Sequence, residues 1–287
     1  MTRVALVVNR ASGGGRADPA DLEDELRRSG VELCRFGVDE LAEAVTWRPD
    51  RIVVAGGDGS VGAAAVAATR ASLTLAVIPT GTANDFARAL DLPDDAFEAC
   101  RLAATGTVRR AVDLGHVGEL AFVNVVSAGL AVAAAREAKS SKVALGPLAY
   151  AVGAVRAGMT ARPIDCRVAC DGDELFAGPA WQVIVANTGA FGGGAEVESA
   201  SPFDGLLTVV VIEAGPRARL IQRAYGLRRG RITNQRGVRW RDARSVRVQV
   251  PDGVAFNVDG EIRRLGVSPE LSVEPGAFQL LVPGIDG

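Results

Sequence analysis

Two glycines, an acid, a third glycine and a hydroxyl stand in a row at Gly56-Gly57-Asp58-Gly59-Ser60, directly behind the apolar run Val53-Val54-Ala55. A buried strand that ends in such a loop, with a helix behind it, turns bare backbone N–H groups toward an anion. Glycine has no Cβ, so a ligand can approach the main chain closely. The acid matters most. A carboxylate beside a phosphate repels it unless a cation lies between them or the acid does proton chemistry. The segment therefore points to phosphate, metal and phosphoryl transfer together. Two further loops have the same character. One runs Asn9-Arg10-Ala11-Ser12-Gly13-Gly14-Gly15, with Arg16 next, and the other runs Pro79-Thr80-Gly81-Thr82-Ala83-Asn84-Asp85. Each alone has an ordinary reading: a flexible turn, an Asx turn at Asp58, a helix N-cap at Thr82. Three such loops on one sheet edge make a nucleotide-phosphate site. A second constellation is Asp259-Gly260-Glu261. It reads as a hairpin turn, since Asp-Gly favours one. It also reads as two carboxylates aimed at one opening, able to hold a divalent ion or to take a proton from an alcohol.

The elements that must position these loops come next. Val4–Val8, Arg51–Ala55 and Leu73–Ile78 read as buried strands, and each precedes one of the three loops. Helical spacing covers Asp21–Arg28, Val61–Ala71, Asn84–Leu90 and Pro93–Ala104. Strands alternating with helices imply a mostly parallel sheet covered on both faces. Ligands of such sheets bind outside the carboxyl ends of the strands. Past Asp113 the character changes to short β-type runs: Ala121–Val126, Ile164–Ala169, Trp181–Ala186, Leu207–Ile212, Val246–Val250, Val254–Val258 and Leu271–Val273. Asp-Gly turn signals separate them. One helical stretch, Leu148–Ala157, interrupts the series. The expected fold is an α/β domain over 1–113 and a β-sandwich over 114–275.

The 287 residues suffice for one large or two ordinary domains. A formal net charge of -2 makes no case for nucleic acid. The start, Met1 to Asn9, lacks the apolar core of a secretory signal, and no run reaches the roughly 18 apolar residues of a membrane span. A cytoplasmic protein is expected. Cys34, Cys100, Cys166 and Cys170 are scattered. Cys166 and Cys170 share a face of one strand yet sit roughly 13 Å apart at about 3.3 Å per residue. That is too far for a disulfide or a shared zinc, so reduced structural thiols are expected.

The Gly56–Ser60 run, followed by Pro79-Thr80-Gly81-Thr82-Ala83-Asn84-Asp85-Phe86-Ala87-Arg88, resembles the diacylglycerol kinase catalytic-domain family, which includes bacterial lipid kinases, sphingosine kinases and ceramide kinases. The resemblance covers nearly the whole chain. Asn9–Gly15 is similar to the family's opening loop, with Arg10 where proline is usual. Val112-Asp113-Leu114-Gly115, Leu145–Tyr150, Asn187–Gly194 and Val258-Asp259-Gly260-Glu261 match further family motifs. The resemblance implies a three-layer Rossmann-like α/β domain, akin to NAD kinase and phosphofructokinase, with a C-terminal β-sandwich domain and ATP between them. It also implies that the segment 276–287 returns to the first domain. By the same resemblance Asn9, Ser12, Gly13, Arg16, Gly56, Gly57, Gly59, Ser60, Thr80, Gly81, Thr82 and Asn84 line the ATP site, with Asp58 beside the phosphates. Asp259 is then the general base, and Glu261 sits with it at Mg2+. Asp85 and Asp113 support the network, and Lys142 stands where the family often has a functional lysine. Ser201, Asp204 and the Leu206 carbonyl resemble a second, structural metal site. Ser60 replaces the usual threonine and keeps its hydroxyl.

The implied reaction is ATP-dependent phosphorylation of diacylglycerol or a related lipid alcohol. NAD kinase-like phosphorylation of a soluble hydroxyl is the enzymatic alternative. A non-catalytic nucleotide- or lipid-sensing protein on a kinase fold is the alternative of another class. Arg217–Arg247 is strongly basic, with Leu220, Ile221, Tyr225, Leu227 and Trp240 interleaved. Such a segment suits anionic headgroups, as for an enzyme peripheral at the inner face of the membrane. It also reads as a solvated face that balances acids elsewhere. The oligomeric state stays open.

Overall fold

The computed structural model describes residues 1–9, 17–130, 132, 161–192 and 194–284. Ser12, Gly13, Arg16, Lys142 and the expected helix Leu148–Ala157 lie outside the described residues. The chain divides into two compact units. The first comprises Met1–Leu114, Pro202–Asp204 and Glu274–Gly287; the second comprises Gly115–Ser201 and Gly205–Val273.

The first unit is built on strands β1 (Arg3–Val8), β2 (Glu32–Gly37), β3 (Arg51–Gly56) and β4 (Thr74–Pro79). They pair in parallel in the order β2-β1-β3-β4, and Gln279 and Leu280 of the last strand add parallel to β4. β1, β3 and β4 are buried along almost their whole length, as strands covered on both faces must be. β2 was not expected from the sequence. Its edge position leaves Glu32 and Arg35 in solvent, so it carries no continuous apolar run.

Helices α1 (Pro19–Arg28), α2 (Leu41–Thr46), α3 (Asp58–Ala71), α4 (Asp85–Ala89) and α5 (Ala96–Thr105) complete the unit. The Asp18 side chain caps α1 by accepting from the Ala20 N–H at 2.8 Å, with Pro19 in the first turn. Asp95 caps α5 through the Phe97 and Glu98 amides at 3.0 and 2.9 Å. Leu22 and Leu26 of α1 and Ala99, Cys100 and Ala103 of α5 bury one face of the sheet with Val4, Leu6, Val53 and Ile78. α3 packs on β3 and β4 through Val61, Ala64, Ala65 and Ala68.

The second unit contains β5 (Arg109–Val117, which begins in the first unit), β6 (Leu120–Phe122), β7 (Val125–Gly129), β8 (Ile164–Cys170), β9 (Asp173–Ala186) and the short pair β10 (Ala190–Phe191) and β11 (Ala195–Glu196). It continues with β12 (Leu207–Glu213), β13 (Val238–Ala243), β14 (Ser245–Gln249), β15 (Phe256–Val258), β16 (Glu261–Arg263) and β17 (Glu270–Leu281), whose far end belongs to the first unit. β9 is long enough to serve two layers. Its first half pairs with β8, which leads to β14 and the start of β17. Its second half pairs with β12 on one side and β7 on the other, leading to β13 and to β15-β16. Val126, Val183, Val185, Val209, Val211 and Phe256 of one layer face Cys166, Val168, Cys170, Val246, Val248 and Leu271 of the other. This is the sandwich core.

Two expectations need correction here. Ala121–Val126 is not one strand but two, β6 and β7, broken at Val123-Asn124. The segment 217–247 also contains a helix, α6 (Ala218–Arg228), that the sequence reading lacked. Leu220 and Leu227 pack it on a second apolar cluster, made by Trp181, Ile184, Val210, Ile212 and Ile232 on the outer face of the sandwich.

All four cysteines are free, and Cys34 is half-buried. Burial pushes the Cys100 thiol up to about 12, with the Glu25 charge adding to it, and pushes Cys166 and Cys170 up to about 11 each. The folded chain therefore keeps these three protons where the unfolded chain loses them. Stability is expected to be undiminished below pH 9 and to fall as pH rises from about 9 toward 11. Denaturant melts across that range check the slope. Iodoacetamide at pH 8 should modify Cys34 first.

Candidate active site

In the first unit the sheet's parallel register puts the carboxyl ends of β1, β3 and β4 side by side. The Asn9 amide nitrogen donates to the Ala55 carbonyl at 3.2 Å, and that of Thr80 donates to the Gly56 carbonyl at 3.1 Å. The loops after β1, β3 and β4 thus leave one edge. The Asn9 side chain donates to the buried Ser60 hydroxyl at 2.9 Å, tying the first loop to the second.

The second and third loops touch backbone to backbone. A Cβ at Gly81 would stand 2.5 Å from Gly57 Cα and 2.7 Å from Asn84 Oδ1. Only glycine permits that approach. Gly59 faces open space at the start of α3. Fourteen residues of α3 place a positive dipole end there. Asn84 adopts a left-handed conformation (φ 49°) and donates its side-chain amide to the Gly81 carbonyl at 3.1 Å. Its Oδ1 is buried and accepts no hydrogen bond. A buried acceptor left so is costly and awaits a donor. Asn84, not Thr82, occupies the N-cap position of α4.

Asp58 reaches from the second loop to the third. Its carboxylate accepts from the Phe86 N–H at 2.8 Å and the Asp85 N–H at 3.2 Å, so it caps α4 from the start of α3. Asp85 is buried and ion-paired with Arg88. Asp113, on β5, is also buried, and its Oδ1 accepts from the Gly276 N–H at 2.7 Å. It pins the returning strand β17.

In the second unit Asp259-Gly260 forms the turn between β15 and β16. Val258 pairs with Glu261 across it, and both turn residues have positive φ, 44° and 91°. That is the tight hairpin geometry Asp-Gly favours. The Asp259 carboxylate turns back onto the break between β6 and β7. Oδ2 accepts from Val123 N–H at 2.6 Å, and Oδ1 accepts from Asn124 and Val125 N–H at 2.9 and 2.8 Å. Glu261 is exposed and pairs with Arg263. The two carboxylates therefore do not converge as the i, i+2 reading expected, because the turn carries one inward and leaves the other in solvent.

Sequence reasoning missed the framework around that break. Asn187 donates its side-chain amide to the Val123 carbonyl at 3.0 Å, and Thr188 Oγ1 donates to Asn124 Oδ1 at 2.7 Å. The available signal was Asn124 itself, a buried polar residue within an apolar run. Ser201, Asp204 and Leu206 lie on the stretch leading into β12, and among the described residues no three His, Cys, Asp or Glu side chains gather at one point.

Comparison with known proteins finds two family matches along the chain. The diacylglycerol kinase catalytic domain matches residues 3–117, and the YegS C-terminal NAD kinase beta sandwich-like domain matches residues 124–282. A diacylglycerol kinase of Bacillus subtilis is 32% identical over 275 residues, covering 91% of this chain and 90% of that one. A diacylglycerol kinase of Staphylococcus saprophyticus is 28% identical over the same shares of both chains. In fold, a diacylglycerol kinase crystal structure from Bacillus anthracis superposes with a TM-score of 0.79 at 22% identity, covering 98% of this chain and 97% of that one. An NAD kinase from Archaeoglobus fulgidus in complex with ATP superposes with a TM-score of 0.57 at 14% identity, covering 97% and 93%. Glycine loops in the first unit, a sandwich in the second and matching sequence along both have one common source: the chain belongs to the diacylglycerol kinase catalytic-domain family, and it is a kinase of the lipid-kinase kind.

Proposed function

We propose that the protein transfers the γ-phosphoryl group of ATP to the hydroxyl of diacylglycerol or a closely related lipid alcohol. The observation that carries this is the Gly57–Gly81 contact beside the orphaned Asn84 Oδ1. Two glycine loops held backbone to backbone, with open space at Gly59 and a buried acceptor beside the contact, suit a nucleotide that brings phosphates and hydroxyl or amino donors. Gly56, Gly57, Gly59, Ser60, Thr80, Gly81 and Thr82 bind the nucleotide in this reading. Asn9 holds Ser60 in place. Asp58 stands beside the phosphates in this reading, and magnesium, when bound, would neutralise their charge.

The protein's own work is positioning and electrostatic stabilisation, since phosphoryl transfer asks for little covalent chemistry from the enzyme. Backbone amides hold the phosphates, and Asp259 takes the proton of the acceptor hydroxyl. The bond from the γ-phosphorus to the bridging oxygen of ADP breaks as the bond to the alcohol oxygen forms. The acceptor resides in a bilayer, so the enzyme works at a membrane surface, with the contact drawn from the basic segment 217–247. No helix of the described residues is long and apolar enough to cross a membrane.

The test is to incubate purified protein with γ-labelled ATP, a total lipid extract and, separately, NAD. Mass spectrometry should identify phosphatidic acid or a related phospholipid. Labelled NADP without labelled lipid would replace this reading with the NAD kinase-like one. Gly81→Ala is expected to weaken ATP binding by about tenfold or more and to cost about 1–3 kcal/mol of stability, the usual range for overpacking. Calorimetric titration with ATP and a thermal melt check the two parts.

A further inference from the structure

Helix α6 is fixed with an apolar pair in solvent. Leu220, Arg223, Gly226 and Leu227 face inward. Ile221 is 79% exposed and Tyr225 61%, more than any other large apolar side chain of the described residues except Met1. At i and i+4 they are neighbours on one face. Trp240 of β13, 43% exposed, stands on the same side of the sheet. It pairs across from Val210, which belongs to the cluster beneath α6. The helix cannot roll to hide Ile221. The Arg223 guanidinium is buried and donates to Gln235 Oε1 at 3.1 Å and to the Arg236 carbonyl. Gly226 lies so close to the Gln235 side chain that a Cβ would meet Nε2 at 2.0 Å.

Charge sorts the arginines around this face. No acid occurs from Ala214 to Arg241. The strand arginines are balanced from elsewhere: Arg239 pairs with Glu213 at 2.7 Å, Arg241 with Asp173 at 3.6 Å, and Arg247, beyond that stretch, with Glu270 at 2.5 Å. Arg217 lies over Trp181 and donates to the Ala161 carbonyl. Arg219, Arg228 and Arg231 are exposed and make no ion pair with the described residues, and Arg229 lies 5.4 Å from the Tyr225 ring centre. Arg236 and Arg244 are likewise exposed without an ion pair to the described residues, but the cluster of unpaired arginines lies on the helix and at its end, around the two apolar side chains.

We propose that α6, and not the arginines of the strand part of the basic segment, docks the protein on an anionic lipid bilayer. Ile221 and Tyr225, with Trp240 beside them, enter the headgroup region, while Arg219, Arg228, Arg229 and Arg231 meet lipid phosphates. This rests on the lipid-kinase reading for its need of a bilayer. The chemistry fits an interfacial helix, which pairs a modest apolar face with basic residues. It fits a protein partner poorly, because a stable interface buries about 800 Å² per side around an apolar centre. Here two side chains are ringed by arginines.

Sedimentation with phosphatidylglycerol and phosphatidylcholine vesicles tests it. The wild type should bind the anionic vesicles, more weakly as salt rises. Ile221→Ser with Tyr225→Ser should lose at least about tenfold in that affinity, while Arg239→Ala with Arg241→Ala should bind within about threefold of wild type. Turnover on vesicle diacylglycerol should fall in the helix variant, and turnover on a short-chain diacylglycerol in detergent micelles should not. Wild type that ignores anionic vesicles overturns the proposal, as does a helix variant that binds normally or a strand variant that loses as much. If the double variant melts lower than wild type, Tyr225→Gln alone is read by the same criteria. Vesicle binding by a wild type that labels no lipid would defeat the kinase reading and leave the docking surface standing.

Discussion

Asp259→Asn is expected to lower kcat by roughly 10²–10⁴-fold, the usual worth of a general base, while ATP affinity stays near that of the wild type. The substitution keeps size and removes the proton acceptor. It also has a structural effect that the sequence motif alone does not disclose. The carboxylate accepts three amides, from Val123, Asn124 and Val125. An asparagine can meet two of them with its oxygen, at the Oδ1 position. Its NH2 then confronts the Val123 N–H, donor against donor. A buried donor left unmade costs about 1–3 kcal/mol. Rate and stability are therefore separate readouts of separate roles. Thermal melts report the tie between the β15–β16 turn and the β6–β7 break. Steady-state rates at saturating ATP report the proton acceptor. A variant with lowered melting temperature and kcat within about threefold of wild type would make Asp259 a turn-holding residue and remove it from the reaction.

The same residue shows how far the chain could be read before its structure. Asp259-Gly260 was legible both as a hairpin turn and as a chemical element, and it does form the turn. Its partners at Val123–Val125 were not legible, because they stand more than 130 positions away and are backbone groups with no residue signature. Asp58 and Asp113 repeat the lesson. The glycine loop marked Asp58 and the family motif marked Asp113, but the amides they hold, at Asp85, Phe86 and Gly276, follow from folding rather than from spacing. Among the elements, β1, β3 and β4 announced themselves as unbroken apolar runs because they are covered on both faces. β2 did not, since an edge strand can afford Glu32 and Arg35. α6 hid for a different reason: its inward face spends two of four positions on Arg223 and Gly226, which breaks the apolar periodicity that marks a helix. The arginine run there looked like uniform surface, and only the structure separates the balanced cations from the unbalanced ones.

Asp58→Ala and Asp58→Asn together are expected to separate the remaining acid's two functions. Asp58 caps α4, whose own N-cap residue cannot do so, because the Asn84 side chain is turned to the Gly81 carbonyl. A helix of five residues has no stability of its own. Removing the cap in the alanine variant should cost about 0.5–2 kcal/mol. The cost falls on the loop that carries Gly81, so ATP affinity should drop as well. The asparagine variant retains one acceptor oxygen, enough for the 2.8 Å bond to Phe86, and should recover most of the stability. It lacks the charge. If Asp58 serves the reaction through its negative charge beside the phosphates, both variants should lose roughly 10²-fold or more in kcat despite their different melting temperatures. Melts, ATP titration and initial rates on the three proteins decide it. Activity that returns with the cap in the asparagine variant would show that the charge is dispensable. The loop's glycines would then be left as the whole of this unit's contribution, with Asp58 only the peg that keeps α4 and the Gly57–Gly81 contact in place.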